Sequence, residues 1–306
     1  MKKLPNFLIV GASKSGTSSL YHYLKQHPDI YLSEKQKEGR YFSQMKDCFK
    51  GPGDKVVAGT VINSLERYSA LFEGYNGQEA IGDISPEYLY FYEKAIPLIR
   101  STLGSDVRII IILRNPVDRA FSAYTHFVRD KRETLSFEEA LQKEEERNRQ
   151  RWIWAWQYKN SGFYFKQVKA YLDQFEYTKV IVYDHLIDHQ DKVIKEICSF
   201  IGVNPGFKFD TTYKYNVSGS PKSQVLYKLE TSRSLVAFVK KLLPKGIISK
   251  LKRNLTGEKQ MVKQEINPKT RTELIGFFKE DILKLQDLIG QDLSPWLENN
   301  TKFISE

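Results

Sequence analysis

Five consecutive branched aliphatic residues, Ile109 to Leu113, constrain this chain more than any other feature. A strand with one face in water alternates apolar and polar side chains. A strand apolar at every position must be covered on both faces, which is the condition of a central strand in a parallel sheet. Parallel neighbours are joined by crossovers, usually helical, so the run implies an α/β architecture with a central, mainly parallel β-sheet flanked by helices.

Other segments supply the alternation. Phe7 to Val10 reads as a strand ending at Gly11, and a helix from about Thr17 would carry Leu20, Tyr23 and Leu24 on one face. Asn115 is a natural N-cap and Pro116 suits the first helical position, so a helix is predicted directly after Arg114. Ser136 with Glu139 forms a capping-box signature at the head of a charged helix running through Glu144, Glu145 and Glu146, an acidic cluster that reads as a solvated face. Trp152, Trp154 and Trp156 follow at alternate positions. A helix from about Phe163 to Phe175 leads to a strand, Val180 to Tyr183. Leu274, Phe277, Phe278, Ile282, Leu285 and Ile289 recur at helical spacing between Pro268 and Gly290, in a helix with a structural role.

The 306 residues suffice for one domain, 1–306, and contain no apolar run approaching the ~20 residues of a membrane span. The lysines at the start precede only Phe7–Val10, too short for a signal-peptide core, so a cytoplasmic protein is expected. Cys48 and Cys198 are the two cysteines; they lack metal-ligand spacing and read as ordinary thiols in a reducing compartment. The formal net charge of +10 favours an anionic partner: a nucleotide, a nucleic acid, an acidic glycan or a membrane surface. Charge alone does not choose among them.

The chemistry begins in Gly11-Ala-Ser-Lys14-Ser15-Gly16-Thr17-Ser18-Ser19, between a predicted strand and a predicted helix. Glycines allow a tight turn that points successive N–H groups inward, and the helix N-terminus adds partial positive charge there. Such a loop binds phosphate. Gly11 and Gly16 match the nucleoside triphosphatase loop, but Thr17 stands where its lysine belongs and the lysine lies inside the loop, at Lys14. The bland alternative is a Gly/Ser-rich loop entering a helix without a ligand.

A second constellation surrounds Arg114 and Ser122. In an open parallel sheet ligands gather beyond the carboxyl ends of strands, where Arg114 sits, and Ser122 lies two turns into the following helix. A guanidinium fork and a rotatable hydroxyl suit a fixed monophosphate. The competing reading pairs Arg114 with a surface acid such as Asp118.

Together, Lys14-Ser-Gly-Thr-Ser18, Leu24-Lys-Gln-His-Pro28 and Arg114-Asn-Pro-Val-Asp-Arg-Ala-Phe-Ser122-Ala-Tyr124 resemble the two donor-binding signatures of sulfotransferases, most closely the bacterial and heparan sulfate branch. Gly82-Asp-Ile-Ser-Pro-Glu-Tyr88 looks like that family's Pro-Tyr segment and Asp292-Leu-Ser-Pro-Trp296 like its C-terminal ending. The resemblance implies a P-loop-like fold using 3′-phosphoadenosine-5′-phosphosulfate (PAPS) without a metal and releasing the bisphosphate PAP. Lys14 to Ser19 would hold the 5′-phosphosulfate and Arg114 with Ser122 the 3′-phosphate; Lys14 would also stabilise the leaving charge. Ser218 and Lys222, with Asn216, fall where relatives close a loop over the nucleotide; a polar loop without that role is the alternative.

The family's catalytic glutamate matches Glu38 in Lys37-Glu38-Gly39-Arg40-Tyr41-Phe42, so Glu38 is the expected general base. Lys37, Arg40 and Asp83 are the expected acceptor-binding residues. Arg40 replaces a histidine of the glycan-modifying relatives and Ile84 replaces a lysine. These departures weigh against a heparan-like acceptor and leave another glycan, a lipid headgroup or a small polar natural product, sulfated on oxygen or nitrogen. His185 and His189 read as a surface pair, not metal ligands.

A basic amphipathic segment, 233–257, carries no acid from Arg233 to Arg253 and could rest on an anionic membrane, gather an acidic acceptor or form a lid. Two other classes stay open at this point: a nucleotide kinase or triphosphatase, and a non-catalytic basic protein that binds polyanions or membranes. No nucleic-acid partner is expected.

Overall fold

A computed structural model describes residues 3–45, 49–212, 220–221, 261–262 and 265–299. Cys48, Asn216, Ser218, Lys222 and the basic segment 233–257 lie outside these residues. Five strands, β1 (Phe7–Gly11), β2 (Ile30–Leu32), β3 (Ala80–Ile84), β4 (Arg108–Leu113) and β5 (Thr178–Val182), form one parallel sheet ordered β2-β3-β1-β4-β5. Among the described residues, six helices have eight residues or more: α1 (Thr17–Leu24), α2 (Tyr92–Leu103), α3 (Pro116–Arg129), α4 (Phe165–Gln174), α5 (Gln190–Ile201) and α6 (Pro268–Ile289).

The unbroken apolar strands divide by residue parity. Leu8, Val10, Ile109, Ile111 and Leu113 pack into one core with α2, α3, α4 and α6. Phe7, Ile9, Ile110 and Ile112 pack into a second core with α1 and α5. The full coverage expected of Ile109–Leu113 is therefore provided by helices on both faces, and each strand residue is a core residue on one side or the other.

This layering positions the site. Strand β1 leads into α1 on one face, and neighbouring β4 leads into α3 on the other. Two adjacent strands whose connections leave in opposite directions open a crevice at their carboxyl ends, where α/β sheets bind ligands. Lys14 follows β1, and Arg114 follows β4.

The expected boundaries of α3 and α6 hold, with Asn115 accepting from Val117 N at 2.9 Å and Pro116 at the first turn. The capping box of Ser136 and Glu139 is present. The charged helix behind it breaks at Lys143, and of its three glutamates Glu144 is buried, accepting from Lys159 N at 2.6 Å. Only Glu145 and Glu146 behave as the solvated face expected of all three. Asp118 pairs with Arg271 of α6 at 2.7 Å and leaves Arg114 to the crevice. Among the described residues no helix is long and apolar enough to cross a membrane.

Candidate functional site

The crevice is a cavity of about 340 Å³ between the tips of β1 and β4. Lys14, Gly16, Thr17, Ser18 and Ser19 line one side, Arg114 and Ser122 another, and Lys37, Glu38 and Arg40 a third. The two constellations meet directly: Arg114 Nη1 donates to the carbonyl of Lys14 at 3.3 Å.

Two residues of the loop have left-handed backbone, Lys14 at φ 70° and Gly16 at φ 82°. Gly16 also lies so close to Tyr183 that a Cβ would meet its ring at 2.9 Å. Gly11, expected to supply a turn, instead permits close packing, since a Cβ there would stand 2.4 Å from Leu89 Cβ. Ser15 is fully buried and its Oγ has no partner. Ser15 is not among the residues that line the cavity, and what it has to offer a ligand is its backbone.

Arg114 is held from behind. Tyr164 Oη donates to its carbonyl at 3.0 Å, and Asn115 Nδ2 donates to the carbonyl of Trp296 at 3.4 Å, which is how the Asp292–Trp296 ending reaches the site. Its guanidinium lies 4.9 Å from the centre of the Tyr183 ring, and its Nε has no partner. Ser122, His126 and Arg129 follow at helical spacing on one face of α3 and line the same cavity. Arg119 lies beneath them, donating to the Tyr158 carbonyl and keeping an unpaired Nε.

This crowding has an electrostatic signature. Burial first, then the Arg129 and Arg114 guanidiniums, brings the Lys14 ammonium down to about 7. Burial and the Lys14 charge likewise push the His126 imidazole down. Positive groups so close that one sheds its proton form a site that needs an anion.

The wall that carries Lys37, Glu38 and Arg40 is built on Asp83. This carboxylate was expected to touch the acceptor, but it lies beneath the cavity wall, 3% exposed. It accepts from Gly39 N at 3.1 Å, Tyr68 Oη at 2.8 Å, Tyr88 Oη at 2.8 Å and Ser85 Oγ at 2.6 Å. Those four bonds use its accepting capacity, so Asp83 positions the Lys37–Phe42 loop. Ser85 Oγ adds a contact to Arg40 N at 3.2 Å. Glu38 then sits at the cavity edge between Arg40, to which it is hydrogen-bonded, and Lys37 Nζ at 3.6 Å; Lys37 also donates to Ser18 Oγ at 2.9 Å.

A second buried acid holds the facing wall. Asp54 accepts from Gly51 N at 3.0 Å, Ile153 N at 2.8 Å and Trp156 Nε1 at 3.0 Å, and pairs with Arg132. It thereby fastens the segments carrying Val57, Ile153 and Trp154.

Of the residues singled out in the sequence, Lys14, Gly16, Thr17, Ser18, Ser19, Lys37, Glu38, Arg40, Arg114 and Ser122 come together around one cavity. His126 and Arg129 were missed although their spacing from Ser122 was readable. Glu87 and Trp154 carried no local signal. Exposed His185 and His189 flank the end of a short helix, Tyr183–Asp188, and among the described residues no cluster of His, Cys, Asp or Glu could hold a metal.

Residues 4–273 match the model of the sulfotransferase domain. The chain belongs to the sulfotransferase family. The crystal structure of a sulfotransferase from Alicyclobacillus acidocaldarius superimposes with a TM-score of 0.77 at 38% identity, covering 97% of this chain and 100% of that one. The membrane-associated sulfotransferase kil1 of Dictyostelium discoideum is 35% identical over 127 residues, 40% of this chain and 23% of that protein. Mouse bifunctional heparan sulfate N-deacetylase/N-sulfotransferase 4 is 23% identical over 311 residues, 96% of this chain and 31% of that protein. The chain thus spans less than a third of these curated relatives, and its fold is the P-loop-like sulfotransferase fold.

Asp83→Ala leaves four buried donors without an acceptor and should destabilise the protein by about 3 kcal/mol in urea denaturation, at ~1–3 kcal/mol for each unsatisfied buried group partly relieved by relaxation. A loss under ~0.5 kcal/mol would show that Asp83 does not hold the loop.

Proposed function

We propose that the protein transfers a sulfonate group from PAPS to a hydroxyl or amine of an acceptor. The observation that carries this reading is the contact between Arg114 and the Lys14 carbonyl, which sets two anion-binding groups at adjacent strand tips around one cavity. The cavity suits the nucleotide: its cations crowd one another, Ser15 offers backbone only, and Arg114 and Arg119 each keep an unpaired donor. Lys14, Gly16, Thr17, Ser18 and Ser19 would hold the 5′-phosphosulfate; Arg114 and Ser122 would hold the 3′-phosphate. Ser218 and Lys222 would close over the nucleotide; Ser220–Pro221, between them in sequence, pairs with Met261–Val262 and lies beside α3.

The reaction follows from charge. Glu38 takes the proton of the acceptor hydroxyl or amine, exchanging one of its contacts to Arg40 or Lys37 for that hydrogen bond. The acceptor atom forms a new bond to sulfur as the bond from sulfur to the phosphate oxygen breaks, and the electron pair leaves with PAP. Lys14 and the loop N–H groups face the oxygen on which negative charge grows, where fixed donors lower a barrier most. No metal enters the proposal. A kinase or triphosphatase would use a lysine at the position of Thr17, and a non-catalytic polyanion binder would have no use for a carboxylate held at the cavity edge.

Two outcomes test the reading. Calorimetry should show PAP binding that is already weakening at pH 7 and falls further as pH rises above it, by up to about tenfold per unit. The nucleotide's phosphates are ionised there, and Lys14, at about 7 when free, must take up a proton to pair with them. Affinity rising across that range, or tighter binding of ATP than of PAP, would remove the donor assignment. Glu38→Gln should lower labelled-sulfonate transfer by about 10²- to 10⁴-fold while leaving PAP affinity within about twofold, the usual loss of a general base; transfer at the wild-type rate would remove Glu38 from the mechanism.

A further inference from the structure

Beyond Lys37 and Glu38 the cavity has a wall with a different character. Val57, Pro86, Ile153 and Trp154 make it apolar, and the carboxyl of Glu87 is set among them. Glu87 is 1% exposed, and its Oε1 has no hydrogen-bond partner; the same is true of Trp154 Nε1. Buried polar atoms are nearly always paired, because leaving one unpaired forfeits its hydration without return. Here two side chains that line the same cavity each carry one unpaired buried atom, an acceptor on Glu87 and a donor on Trp154.

The charge at this end excludes some ligands. Arg40 is bound to Glu38, Lys37 to Glu38 and Ser18, and Arg132 to Asp54. Each cation is thus paired with a carboxylate of the chain itself. A polyanion entering here would meet the Glu38 carboxylate and would have to break an internal ion pair for every contact. A cationic acceptor would enter between Lys37, Arg40 and Arg132 at a cost of the same kind. Burial, against the pull of Arg40, raises the Glu87 carboxyl to about 8, so at neutral pH it offers an O–H as well as a lone-pair oxygen, the pairing partner of a hydroxyl.

We propose that this wall is the acceptor subsite, that Glu87 hydrogen-bonds a hydroxyl of the acceptor, and that the acceptor is an uncharged hydroxylated molecule whose apolar face lies on Trp154. The inference rests on the sulfonate-transfer reading and narrows it. A site built to pair a hydroxyl discriminates strongly, since the wrong ligand leaves its buried group unpaired. Asp54 and Asp83 hold the two sides of the subsite in place from behind.

The test uses the full chain with PAPS and two acceptors of the same shape, nitrophenyl β-glucoside and its carboxylate counterpart nitrophenyl β-glucuronide. Wild-type kcat/KM for labelled-sulfonate transfer should favour the glucoside by about tenfold or more, the value of one charge-sensitive hydrogen bond. Glu87→Leu and Glu87→Ala should each lower transfer to the glucoside by about tenfold through KM, with PAP affinity by calorimetry within about twofold of wild type. Trp154→Ala should raise KM for both acceptors. Glucuronide preferred over glucoside, Glu87 variants with unchanged KM, or no transfer to the glucoside by enzyme that binds PAP would each overturn the proposal. Failure of the wild type to bind PAP would instead overturn the donor assignment beneath it. Thermal melting separates misfolding from a binding loss, and Glu87→Leu, which fills a similar volume without a polar group, keeps the result decisive if Glu87→Ala does not fold.

Discussion

The contact between the Arg114 guanidinium and the Lys14 carbonyl joins the tips of two neighbouring strands whose connections leave on opposite faces of the sheet. Everything proposed for the cavity depends on that closure. It turns a phosphate loop and an isolated arginine, 100 residues apart in sequence, into two ends of one site. The remaining structure makes the closure durable. Tyr164 and Trp296 hold the Arg114 segment from α4 and from the C-terminal end of the described chain, and the apolar strands fix the spacing of the two tips.

Such a site carries an electrostatic cost in the free protein. Lys14, Arg114 and Arg129 line one cavity, and burial, with the two guanidinium charges adding to it, brings Lys14 to about 7. Lys14 also adopts a left-handed backbone that β-carbon sterics disfavour. Strain and like-charge repulsion concentrated in one loop are the marks of a site shaped for a ligand rather than for stability. Opposite this cationic end stand three buried acids: Asp83 and Asp54 have their oxygens fully engaged, while Glu87, which lines the cavity, retains an unpaired one.

Much of this was readable in the sequence because it is local. Ile109–Leu113, Asn115 and Pro116 specify a buried strand and a helix start within eight residues, and the loop from Gly11 to Ser19 announces itself by composition. The strand-end rule placed Arg114 with Ser122 at a ligand crevice, while the convergence of Lys14 with Arg114 was what the resemblance to the sulfotransferase signatures implied. What escaped notice depends on distant partners. Asp83 looked like an acceptor ligand because its donors come from Gly39, Tyr68, Ser85 and Tyr88, and only the folded loop brings Gly39 and Tyr68 to it. Glu144 looked solvated because its partner, Lys159 N, follows a chain reversal. Glu87 was hidden in a Pro-Glu-Tyr segment whose glutamate has nothing to mark it as buried.

The central claim is spatial: Lys14 and Arg114 hold opposite phosphates of one nucleotide. The measurement that tests it most directly compares PAP with AMP, which lacks the 3′-phosphate, by calorimetry on wild type, Lys14→Ala and Arg114→Ala. The account requires Lys14→Ala to weaken both ligands and Arg114→Ala to weaken PAP by about 10- to 100-fold while leaving AMP nearly unchanged, as expected for loss of a charge-assisted phosphate contact. Equal losses of PAP and AMP in Arg114→Ala, or no loss in either variant, would contradict it.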